Sequence, residues 1–194
     1  MYGELPEVTV NGDKVRGVTV RVPNPPKQAV LRLPTSAEML EYVRSIGRVT
    51  RRKTAEPDLK PDQVLFAKLR LDDGPEFDEY EASRAVGGIV DQNIIDTQRA
   101  NGRYLVTLGT PFGEVVHTVD IPTQKAVVQY RRAISKSTAR IDVMEHAVAL
   151  FDGITRGAEG YADGVEVPLN HKSAVVQAAL AALDDLDPVI DPNL

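Results

Sequence analysis

From Glu114 to Ile121, Val115, His117, Val119 and Ile121 fall on one face and Val116, Thr118 and Asp120 on the other. This period of two predicts a half-buried strand. Upstream, Ile94–Ala100 and Arg103–Leu108 flank Asn101-Gly102, a dipeptide that supplies the positive φ values of a type I′ hairpin turn. With Gly109–Gly113 as the second turn, these stretches predict a three-stranded antiparallel meander. The same pattern comes earlier as Val8–Val10, Val15–Val22 and Ala29–Leu33, with Asn11-Gly12 and Pro23-Asn24-Pro25-Pro26 at the turns.

Each set of strands leads into helical spacing. Thr35 and Glu38 form a capping box, and Met39, Leu40, Val43, Ile46 and Val49 make an apolar stripe behind it. Thr123 is the matching cap without its glutamate, followed by Ala126, Val127, Tyr130, Ala133 and Ile134. More helix is predicted over Pro61–Leu69 and Ile141–Ile154. A last helix follows an Asp-Gly turn in each half, over Asp78–Val90 and His171–Leu186, with Pro188 and Pro192 beyond the second.

The two halves share residues as well as pattern. When Pro34–Arg52 is set against Pro122–Arg140, 88 residues on, seven pairs are identical: Pro34/Pro122, Thr35/Thr123, Tyr42/Tyr130, Arg44/Arg132, Ile46/Ile134, Thr50/Thr138 and Arg52/Arg140. Asp73-Gly74, Glu76, Ser83 and Val86 return in order as Asp163-Gly164, Glu166, Ser173 and Val176, 90 residues on. Ordered landmarks of this kind indicate an internal repeat. The expectation is an α+β fold of two duplicated units, residues 1–92 and 93–194, each a three-stranded meander followed by two or three helices.

Composition narrows the chemistry. The 194 residues are 42% hydrophobic and 26% charged, enough to bury a core. There is no cysteine, which removes disulfides, thiol nucleophiles and thiolate metal sites. No run of about 18 apolar residues occurs, and Met1-Tyr2-Gly3-Glu4 lacks the basic and apolar blocks of a secretory signal, so no membrane span or export is expected. With 23 Lys+Arg against 28 Asp+Glu and no tryptophan, nucleic acid is disfavoured as a partner.

Reaction centres are poorly supplied. His117, His146 and His171 have no close ligand partner, and neither a phosphate loop nor a GxSxG elbow is present. His117 reads as a core imidazole and His171 as part of a helix start. Six of the ten residues in Asp72–Glu81 are acidic, but their spacing is not that of a calcium loop, and acids favour a helix N-terminus. No enzyme, metal or cofactor is expected.

Two constellations suit partner binding. Arg44, Arg48 and Arg52 recur at i, i+4, i+8, and Arg132, Lys136 and Arg140 take the equivalent places in the second half, a basic ridge in each unit suited to acidic helices or phosphates. The terminal helix carries Val175, Val176, Ala179, Leu180 and Leu183 among alanines, a face for core packing or for docking a partner.

The Pro-Thr cap with an acidic position after it, Leu33-Pro34-Thr35-Ser36-Ala37-Glu38, and the phrase Glu56-Pro57-Asp58-Leu59-Lys60 resemble tail assembly chaperones of long-tailed bacteriophages. The resemblance covers about residues 18–92, and again 104–186. It implies a protein without catalysis that keeps the tape-measure protein soluble in the host cytoplasm and brings tail-tube subunits to it. Two units where that family has one leave open a structural subunit of the virion, at the tail or head-tail junction, and self-association. A third alternative is a nucleic-acid-binding regulator that uses the basic ridges.

Overall fold

A computed structural model describes residues 1–23, 25–49 and 60–184. The fold is α+β with antiparallel sheets. The first half contains β1 (Glu7–Val10), β2 (Asp13–Arg16), β3 (Val18–Pro23), β4 (Pro26–Leu31), α1 (Ser36–Val49), α2 (Pro61–Leu69) and α3 (Glu79–Val90). The second contains β5 (Asn93–Ala100), β6 (Arg103–Thr110), β7 (Gly113–Asp120), α4 (Gln124–Lys136), α5 (Arg140–Ile154), β8 (Thr155–Glu159) and α6 (Leu169–Asp184).

In the second half the strands lie side by side as β5-β6-β7-β8, with Tyr104, Val106 and Leu108 of β6 and Val115, His117 and Val119 of β7 buried on one face. The first half departs from the expected meander. It forms two separate pairs, β1-β2 and β3-β4, because the stretch predicted as one strand over Val15–Val22 breaks at Gly17. A β-carbon at Gly17 would stand 2.8 Å from Val30 and 3.1 Å from the Leu31 carbonyl oxygen. The Gly17 N–H turns instead to the Pro6 carbonyl oxygen at 3.1 Å.

Helix starts are fixed by the residues that predict them. The Thr35 N–H donates to Glu38 at 2.9 Å and the Glu38 N–H donates to Thr35 Oγ1 at 3.3 Å. Arg32 adds two bonds to the same carboxylate, at 2.9 and 2.7 Å. These bonds hold the Glu38 carboxyl down at about 2. Asp78 caps α3 by accepting from the Glu81 N–H at 2.8 Å, and Glu81 is buried where Lys27 reaches it at 2.7 Å. The acidic stretch is thus spent partly on capping and pairing.

Two apolar cores result. One gathers Ala29, Leu31, Met39, Leu65, Phe66 and Leu69 with the inner face of α3. The other joins the β6–β7 face to Phe151, Ile154 and α6. Phe112, between β6 and β7, packs against both. The halves are also joined by α1, which lies on α5 and α6.

Candidate functional site

The basic ridges are only partly visible. Arg44 is exposed on α1, its guanidinium 3.7 Å from Glu145 of α5. On α4, Arg132 and Lys136 are exposed. Among the described residues neither has an ion-pair partner, and neither has Lys125, one turn or more before them. Arg52 and the side chains of Arg48 and Arg140 lie outside the described residues. Arg131 turns the other way, giving Asp184 at the end of α6 two bonds of 2.6 and 2.8 Å.

The terminal helix does not offer the docking face that its sequence allowed. Val175, Val176 and Ala179 have no exposed surface, and Leu180 is half-buried against the same core, as is Leu183 by exposure. Its small residues let α6 pack closely on the sheet and on α5, which uses up the apolar face inside the molecule.

What is open is a groove between α4 and α5. It has a volume of about 540 Å³ and runs along Ala126, Gln129, Tyr130 and Ala133 of α4 and His146, Ala149, Leu150 and Gly153 of α5. Those positions recur at i, i+3, i+4, i+7 on both helices, so each contributes one continuous stripe. Ile121 and Ile154 also line it, and at its end Asp120 pairs with Arg103 at 3.0 Å and Arg156 at 2.6 Å. The walls are small and the floor apolar, which leaves room for side chains from outside.

A second arrangement was not foreseen. Tyr161 Oη stands 2.9 Å from Nε2 of His117 on β7 and 2.8 Å from Nδ1 of His171 on α6. Both imidazoles are buried, which pulls each down to about 4, with the His117 charge adding to the effect on His171. Burial also raises the Tyr161 hydroxyl, with the neighbouring Tyr2 adding to it. One phenol proton serves two nitrogens, so one ring donates and the other accepts. His117 Nδ1 is buried without a partner. Donation from His117 Nε2–H to Tyr161, and from Tyr161 to His171 Nδ1, leaves only a lone pair there; the reverse direction strands an N–H. His171, in the first turn of α6, is therefore also a core residue.

Tyr2 packs against this set of hydrogen-bonded side chains. Its ring is 4.8 Å from His171 and 5.5 Å from Phe112 and Tyr161, centre to centre. Its backbone bonds to both sides of Tyr161, through Gly160 O at 2.7 Å and Ala162 N at 2.8 Å. No local sequence pattern carries this, since the partners of Tyr2 lie more than 100 positions away. The aromatic packing of Tyr2 covers one side of this hydrogen-bonded set.

Among the described residues no group of three or more His, Asp or Glu could hold a metal ion, and no helix is long and apolar enough to cross a membrane. No protein-family model, curated protein or solved structure matches this chain.

Proposed function

We propose that this chain is a non-enzymatic binding protein of bacteriophage tail morphogenesis, one unit used twice, which shields an apolar helix of the tape-measure protein and brings tail-tube subunits to it. The open groove between α4 and α5 carries the reading. Alanine and glycine walls let a third helix approach closely, and an apolar floor receives side chains spaced i, i+3, i+4, i+7. Covering a partner's apolar stripe removes about 25 cal/mol per Å² from its drive to aggregate.

The repeated unit is supported by the order of elements. Each half runs through its strands to two helices, then a short extended stretch, then a last helix. Leu69–Leu71 pairs with β4, through Arg32 N to Leu69 O at 3.0 Å and Leu71 N to Val30 O at 2.8 Å, as β8 pairs with β7. Asn11 and Asn101 sit at φ 51° and 52° in matching turns. Co-expression with a tape-measure protein tests the function. The soluble share of that protein rises if the reading holds; equal insolubility with and without this chain overturns it.

A structural subunit of the virion is the second reading, favoured by the exposed Val128 on the outer side of α4. Mass spectrometry of purified particles separates the two, stoichiometric presence marking the subunit and absence the helper in the host cytoplasm.

A further inference from the structure

We infer that the chain docks head to tail on a second copy of itself through the outer stripe of α4, repeating a contact already made inside the chain. The inference rests on the repeat reading above. On α1, Ser36, Leu40 and Arg44 follow at i, i+4, i+8 and so share one stripe. Both ends of that stripe touch the second half. Ser36 Oγ donates to Glu166 at 2.9 Å, and Arg44 stands 3.7 Å from Glu145 on α5. Leu40 between them is half-buried and the adjacent Val43 is buried, yet neither belongs to either apolar core. This stripe is the one by which α1 rests on the second half.

Shifted by 88 residues, the stripe becomes Gln124, Val128 and Arg132 on α4. All three are exposed. Val128, at 39%, belongs to a short set of large apolar side chains left in solvent among the described residues. Val43 has Arg131 as its counterpart, and the pairing of Arg131 with Asp184 draws that side chain away toward α6. Lys125 and Lys136 flank the stripe, so it is apolar at its centre and basic around it. The same pattern that is covered on α1 is uncovered on α4.

The receiving surface follows from the same correspondence. Glu166 answers to Glu76, and α5 answers to α2, each being the second helix of its half and ending where the chain returns to pair with the preceding strand. Glu76 is exposed and has no ion-pair partner among the described residues; Asp73, Asp78 and Glu79 beside it are exposed too, although Asp73 accepts from Asn11, Asp78 caps α3 and Glu79 pairs with Lys60, so Glu76 is the carboxylate of this set left to meet a second copy. A basic stripe in one half and an acidic surface in the other are complementary between two copies. Such a contact is heterologous, and it closes into a ring or grows into a filament. Tyr2, which strengthens the contact inside the chain, has no counterpart: Gln92, 90 residues on, bonds to Asn170. Association between copies is therefore weaker than the contact within one.

Sedimentation of the full chain up to about 1 mM tests this, in the range where weak association is visible. The average mass should rise above 21.2 kDa with concentration. Val128→Glu should weaken the rise about tenfold or more with the melting temperature changed little, since a substitution at a surface site outside either core carries little stability. Glu76→Lys, which breaks no ion pair within the chain among the described residues, should weaken it from the other side. Mixing the two variants should restore one intact contact and give a heterodimer that grows no further. A chain that stays at monomer mass throughout, or a Val128→Glu variant that associates like the parent, overturns the inference. So does a mixture that forms no heterodimer, which would mean that α4 meets α4. None of these results bears on whether the chain keeps a tape-measure protein soluble, which co-expression reads separately.

Discussion

The hydroxyl of Tyr161 lies 2.8 Å from Nδ1 of His171, and with His117 donating to that hydroxyl the Tyr161 proton is directed at this nitrogen as long as it carries none of its own. Unfolded histidine takes up a proton near 6.5, whereas His117 and His171 in the fold do so at about 4. The unfolded state binds protons first as the pH falls, so stability is complete above about 6.5 and drains away down to about 4. The loss is at most about 3 kcal/mol for each histidine. Urea unfolding should show a falling midpoint between pH 7 and pH 4, and the fall should shrink in a His117→Gln, His171→Gln double variant.

Tyr2 fixes the first residues of the chain to the far core by one ring and two backbone bonds. Tyr2→Ala leaves a void lined by Phe112, Tyr161 and His171 and should cost about 3–5 kcal/mol, as other buried aromatic truncations do. Chemical denaturation is the measurement. A cost under about 1 kcal/mol would mean that the site collapses around the missing ring.

The local chemistry of this fold was legible and the distant pairings were not. Asn11-Gly12 and Asn101-Gly102 turn as their residue types require, at positive φ throughout. Thr35, Asp78 and Thr123 start the helices that they were read to start. β8 escaped notice because four of its five residues are exposed and show no alternation; the free edge of β7 makes it a strand. The break at Gly17 depends on how close Val30 comes, which no local pattern carries. Ala126, Tyr130 and Ala133 belong to the apolar positions predicted for α4, and over Ile141–Ile154 only a helix is predicted; the groove between the two depends on how far the helices splay.

Glu38 accepts from Arg32 twice and from Thr35 twice, once from its N–H and once from its hydroxyl. Its carboxyl therefore titrates at about 2, below the ordinary 4.5. A lowered carboxyl contributes stability above its unfolded value and loses it as the pH falls from about 4.5 through about 2. Glu38→Gln keeps the shape and removes the charge. It should destabilise by about 1.5–3 kcal/mol at neutral pH, the range for hydrogen bonds to a charged group, and flatten the acid limb of the stability curve below pH 4.5.

Ala149 faces the groove from α5 while remaining exposed, which makes it a means of closing the groove without disturbing a core. Ala149→Phe places a ring where a partner's side chain would enter. The melting temperature should change little, because exposed substitutions stay within about 0.5 kcal/mol. The capacity to keep a tape-measure protein soluble should fall sharply, since one blocked position breaks a stripe that a bound helix must fill continuously. Val128→Glu, on the opposite side of α4, should leave that capacity intact. If Val128→Glu abolishes it and Ala149→Phe does not, the partner sits on the outer stripe; if Ala149→Phe changes nothing while the fold is kept, the groove plays no part in binding.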